Sequence, residues 1–132
     1  MDLSACAKLY DLNCANNILT NLDLSANPML SALNCDYNRL TNLNLSGNPR
    51  LYHLECRNNS LTNLDLSANP QLFFLDCSHN RLTKLDLSAS TNGMGGIDCR
   101  NNPIVEIIVA DTNTLPKHFY YSGKPVIRKS KR

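Results

Sequence analysis

The sequence predicts a β-solenoid: one chain wound into about five stacked coils of 21 residues, with parallel strands and little or no α-helix. Three observations predict it. Cys14, Cys35, Cys56 and Cys77 recur every 21 residues, and Cys99 follows after 22. Leucine keeps the same beat at Leu22, Leu43, Leu64 and Leu85, and again at Leu24, Leu45, Leu66 and Leu87. Asparagine does so in two columns: Asn17, Asn38, Asn59, Asn80 and Asn102, then Asn27, Asn48 and Asn69. Self-similarity at a fixed period marks a repeat architecture. It also explains why 22 leucines and 19 asparagines dominate a chain of 132 residues.

The unit reads L-x-x-L-x-C-x-x-N-x-L-T-x-L-D-L-S-x-N-P-x. In L-x-C and in L-D-L, apolar residues alternate with polar ones, the period of a strand with one buried face. Each coil is therefore expected to carry a short strand at LxC and a second extended segment at LDL. One coil cannot bury its own leucines, but neighbours bury each other's. The two asparagine columns fall where the chain turns. A turn inside a coil leaves backbone groups without ladder partners, and an amide both donates and accepts. Pro28, Pro49 and Pro70 follow the second column and set φ at that corner.

The ends depart from the unit. At the N-terminus "DLSACAKLYDLNC" aligns with "DLSANPMLSALNC" (23–35), so Cys6 stands in the Asn27 column and the first coil reads as incomplete. At 88–96 "SASTNGMGG" replaces the asparagine–proline corner with Ser90 and Thr91, which predicts a looser corner or a point of close contact. After Asn102 the pattern decays. Leu115, Phe119, Tyr120 and Tyr121 are expected to cover the last apolar coil. The organisation expected is a solenoid over 1–110, a C-terminal cap over 111–126 and a disordered basic tail over 127–132.

The repeated pattern, from about Asp2 to Val109, resembles the leucine-rich repeats, in particular a short bacterial class with nested halves LxxLxCxxN and LTxLDLSxN. The resemblance implies a leucine-rich repeat solenoid similar to those of internalin-like surface proteins. It further implies protein recognition and a secreted or cell-surface setting.

Other classes fit poorly. Residues 1–116 hold seven Lys or Arg against eleven Asp or Glu, whereas 117–132 hold six bases and no acid. A mildly acidic body does not suggest nucleic-acid binding. No apolar run is long enough for a transmembrane helix. The cysteine column is linear and lacks CxxC spacing, so it cannot converge on zinc. Parallel Cβ vectors at ~4.8 Å spacing also disfavour disulfides between coils. Cys14, Cys35, Cys56, Cys77 and Cys99 are read as core packing. No metal, cofactor or catalytic residue is expected.

Leucine and asparagine build the scaffold, so recognition is expected at positions that change between coils. The LTxLDLSxN half is monotonous. The LxxLxC half differs in every coil. Its outward positions single out Tyr37, His53, Glu55, Arg57, Phe74, Asp76, His79 and Arg100 as the partner-binding patch, with Tyr37 and Phe74 as exposed anchors beside arginine. The alternative is a structural fragment that self-associates through its open first coil.

Overall fold

In the computed structural model, residues 1–90, 93–110 and 115–131 are described; the expected change at Thr91 lies outside them. Nine strands lie among the described residues: β1 (Asp11–Asn13), β2 (Ala32–Asn34), β3 (His53–Glu55), β4 (Phe74–Asp76), β5 (Lys84–Asp86), β6 (Gly96–Asp98), β7 (Glu106–Val109), β8 (His118–Tyr120) and β9 (Val126–Lys129). They contain no helix. The first strand of each coil joins a six-stranded parallel sheet in the order β1-β2-β3-β4-β6-β8, and β5-β7-β9 form a second. Register follows the repeat, so Leu12, Leu33, Leu54, Leu75 and Ile97 stand in one line.

The strands sit one residue earlier than L-x-C. The leucine is central, and the cysteine lies just past the strand end, still held by Cys35 N–H donating to the Glu55 carbonyl (2.8 Å) and its equivalents. The LDL segments form a ladder only from Lys84 onward. In every coil the residue between those leucines also starts a turn. Asp23 accepts from the Ser25 N–H (3.0 Å) and hydroxyl (2.6 Å), and Asn44, Asp65 and Asp86 repeat the backbone contact with Ser46, Ser67 and Ser88. Later coils add the β-branched Ile107, Ile108 and Val109, which favour a pleated ladder.

The inward leucines and all five repeat cysteines form one continuous core. Each cysteine is a free thiol, and Cys6 is free and exposed. Burial pushes the Cys56 and Cys77 thiols well above their ordinary range and Cys99 up to about 12. Such thiols stay protonated and behave as small hydrophobes.

At the C-terminal end, residues 127–129 of the expected tail belong to β9, which pairs in parallel with β7, and Arg128 Nε donates to Glu106 Oε2 (2.9 Å). β8 extends the main sheet by one pass, with Phe119 opposite Ile97 and packed on the core. Leu115, Tyr120 and Tyr121 remain exposed. At 111–114 the expected cap lies outside the described residues. The glycine corner is a point of close contact: a Cβ on Gly95 would clash with the Phe73 ring at Cε1.

Candidate functional site

The asparagine columns set the two corners of the coil. Asn59 Nδ2 donates to the carbonyls of Cys35 (3.0 Å) and Cys56 (3.2 Å), while its Oδ1 accepts from Leu40 N–H (3.0 Å). Asn38, Asn80 and Asn102 repeat this. At the other corner Asn48 Nδ2 donates to Leu24 (3.1 Å) and Asn27 (3.0 Å) carbonyls. The Oδ1 atoms of Asn27, Asn48 and Asn69 are buried without a partner among the described residues.

The first column stands at the exit of the main sheet, directly behind the predicted patch. Just before it, Asn16, Tyr37, Asn58, His79 and Asn101 all adopt left-handed backbone, with φ between 55° and 60°. Asparagine and histidine are enriched in that region, whereas the bulky Tyr37 is strained there, at about 1–2 kcal/mol. Three coils use asparagine. Two place a ring instead, and both belong to the predicted patch.

The eight patch residues divide into groups. His53 and Phe74 stack with ring centroids 4.6 Å apart, and His53 Nε2 lies 2.9 Å from Glu55 Oε1. Phe74 is half-buried, packed beside Gly96, so it is not the exposed anchor expected. Its neighbour Phe73 is the more exposed ring, and it stacks on Tyr52 at 5.2 Å. Sequence alternation hid this because both phenylalanines precede the central leucine and the tilt of each ring depends on the small Gly95 and Gly96 one coil on.

Asp76 makes a turn: it accepts from the Ser78 N–H (3.1 Å) and hydroxyl (2.7 Å). Asn13, Asn34 and Asp98 do the same for the residue two further on. Glu55 is one methylene too long for this role. In its coil the Arg57 N–H instead donates to Asp36 Oδ1 of the preceding coil (2.8 Å), and Arg57 Nε lies 3.2 Å from Asp36 Oδ2. Asp36 is buried, a position the sequence did not single out, and its desolvation raises its pKa despite the arginine.

Arg57 also lies over the Tyr37 ring (5.3 Å), whereas Arg100 leans the other way, over Tyr120 (5.0 Å), and grips Asp98 through Nε (3.0 Å) and Nη2 (2.7 Å). The bond to Arg100 holds the Asp98 carboxyl below its usual range. Between the arginines the equivalent position is the small Ser78. The result is a shallow groove of ≈ 280 Å³ lined by Tyr37, Arg57, Asn58, His79, Arg100 and Asn101, with Ser78 and Asp98 beneath. The structure thus brings four predicted residues, Tyr37, Arg57, His79 and Arg100, around one groove. The other four sit on the adjoining strand face. Shallow clefts of ≈ 240–510 Å³ also run along the LDL side, but their outward residues change little, with Lys84 and Asn44 as the departures from an Asn, Asp, Ser order.

No metal-binding group of three or more His, Cys, Asp or Glu occurs among the described residues. No helix among them is long and apolar enough to cross a membrane.

No protein-family model and no curated protein matches the chain. Solved structures do. The functional domain of InlJ from Listeria monocytogenes, which includes a cysteine ladder, is 36% identical over 93% of this chain, with a TM-score of 0.86. YopM from Yersinia enterocolitica WA-314 is 29% identical over 91%, with a TM-score of 0.67. The leucine-rich repeat domain of APL1B, 22% identical over 85% with a TM-score of 0.69, shares the fold. The chain covers 27%, 25% and 34% of these three, so it spans about a quarter to a third of their length.

Proposed function

Because the chain is a leucine-rich repeat solenoid of about five turns of roughly 21 residues, like the bacterial repeat proteins it resembles, we propose that it is a non-catalytic protein-recognition module. Its partner is taken by the outward face of the main sheet and the exit turns beside it. The residues assigned to that contact are Tyr37, His53, Glu55, Arg57, Phe74, Asp76, His79 and Arg100. Likeness to leucine-rich repeat proteins supports an interaction module in general.

One observation carries the choice of face. A constant backbone presents a changing set of side chains on one side of the coil and a nearly constant set on the other, where Lys84 and Asn44 are the departures. Closely similar φ at five exit turns holds Asn, Tyr, Asn, His and Asn in turn. Backbone stability alone favours asparagine over tyrosine there. Aromatic rings and arginines side by side are also what interface anchors are made of. Asp76 contributes by shaping the turn that presents Ser78 and His79, and Phe74 by holding His53.

The test is a double substitution, His53→Ala with Phe74→Ala, followed by affinity capture. The variant is expected to keep the far-UV spectrum and melting cooperativity of the parent and to lose the captured partner. Capture at parental levels by a folded variant would sink the assignment of this face.

A further inference from the structure

The groove between Arg57 and Arg100 has a polarity of its own. The carboxylates that hold its two arginines face inward: Asp36 has 7% of its side chain exposed and Asp98 20%, against 45% and 52% for Arg57 and Arg100. Each arginine is therefore held from behind by a carboxylate and from one side by a tyrosine ring, Tyr37 or Tyr120. Neither Nη of Arg57, nor Nη1 of Arg100, has a hydrogen-bond partner among the described residues. What the groove offers outward is thus N–H donors on pre-oriented guanidinium planes, the geometry that takes carboxylates. Asn101 Nδ2 lies 3.1 Å from His79 Nε2; with the amide donating, the ring keeps its hydrogen on Nδ1, a further donor at the rim.

The two arginines are two coils apart, about 10 Å at the spacing of parallel strands. They lean in opposite directions, and only Ser78 stands between them. Tyr37 and His79 occupy left-handed positions around the same groove where the other coils keep asparagine. The bulky tyrosine is strained there, and backbone strain kept at one place points to function.

We propose that this groove receives an acidic segment of the partner protein, whose carboxylates are bound by Arg57 and Arg100. This rests on the protein-recognition reading above and narrows it. Nucleic acid offers similar oxygen acceptors. The acid excess of residues 1–116 opposes a polyanion that tracks the whole surface, whereas two carboxylates need only the groove.

The experiment uses the full chain and fluorescein-labelled deca-glutamate, with deca-glutamine and inorganic phosphate as comparison probes. Binding is read by anisotropy, and the contact site by amide chemical-shift changes. Deca-glutamate is expected to bind in a salt-sensitive manner, shifting Asn58, His79 and Asn101, while deca-glutamine does not bind. Arg57→Gln with Arg100→Gln is expected to weaken binding by at least about tenfold, equivalent to about 1.4 kcal/mol. Removing Arg57 strips Asp36 of a partner, so a second variant leaves both arginines in place. His79→Asp puts a tethered carboxylate at the rim of the groove, at an exposed position whose left-handed backbone suits aspartate, and is expected to abolish binding with the fold intact. Parental affinity in either folded variant, shifts confined to the LDL side, or phosphate binding in the groove as tightly as the peptide would each overturn the proposal.

Its failure is separable from failure of the broader reading. If deca-glutamate does not bind but the His53 and Phe74 double variant still loses the partner, the acidic occupant is wrong and the face stands. If the peptide binds at the arginines while that double variant captures its partner normally, the groove stands and the wider face falls.

Discussion

The coil turns at asparagine twice, and the two corners are not equivalent. At the exit of the main sheet, Asn38, Asn59, Asn80 and Asn102 use both ends of the amide, binding carbonyls of two coils and the N–H of a third segment. At the opposite corner, Asn27, Asn48 and Asn69 use only the donor end, and the buried oxygen of each has no partner among the described residues. The same residue, stacked at the same pitch, closes its hydrogen bonds at one corner and leaves them half closed at the other. A buried acceptor without a partner costs about 1–3 kcal/mol, which offsets much of what the donor bonds contribute. The better-satisfied corner is the one beside the candidate groove.

The largest break of this comparison is expected from Asn69→Asp. It replaces a donor facing the Leu45 and Asn48 carbonyls with a second oxygen in a fully buried position. At neutral pH the loss should be about 4 kcal/mol, the scale of an uncompensated buried charge. Burial and facing carbonyls raise the folded-state pKa of the new carboxyl above its unfolded value. The penalty is therefore present above the folded pKa and relieved as pH falls through it. Urea unfolding at pH 7 and pH 5 should show the difference between variant and parent shrinking at the lower pH.

Next in size is the contrast between matched deletions. Asn80→Ala strands the Leu61 N–H and removes the amide's bonds to the Cys56 and Cys77 carbonyls, so about 3 kcal/mol is expected. Asn48→Ala strands carbonyls alone and also removes an unpaired oxygen, so about half that loss is expected. Equal midpoints in urea for the two variants would erase the distinction between the corners. The smallest effect should come from Ser90→Asn, which restores the interrupted column. Ser90 N–H already donates to the Leu87 carbonyl at 3.1 Å, the turn bond that Asn27, Asn48 and Asn69 make. A gain of about 0.5–1 kcal/mol is expected, read as a higher urea midpoint with unchanged slope.

Much of this was legible from spacing alone. A 21-residue period names the coil, and alternation names the inward leucines. A residue that replaces leucine at an inward position, as Cys56 does, must be a core residue whatever its chemistry. The exit-turn role of Asn59 follows as well, since a chain leaving a strand must satisfy its backbone. Less was legible where a side chain's partner comes from a neighbouring coil. Asp76 and Asp98 stand in the same outward column as Glu55, yet two close a turn and the third is too long to do so. Asp36 reads as an outward residue and is buried, because Arg57 folds back across it from the next coil. Residues 127–132 read as a basic tail because four charged residues crowd them, yet Ile127 lies opposite Ile107 and supplies the apolar contact that seats β9. The likeness of the two halves of the repeat also concealed the different fate of their asparagines: both look like ladders in one dimension.

The left-handed exit turn has a consequence for engineering. Its backbone angle stays within a few degrees whether asparagine, tyrosine or histidine occupies it. Such a position acts as a display socket: the presented group can be exchanged while the mounting stays in place. Five sockets at a fixed pitch make an addressable array, and randomising positions 16, 37, 58, 79 and 101 together would sample recognition surfaces without redesigning the scaffold that carries them.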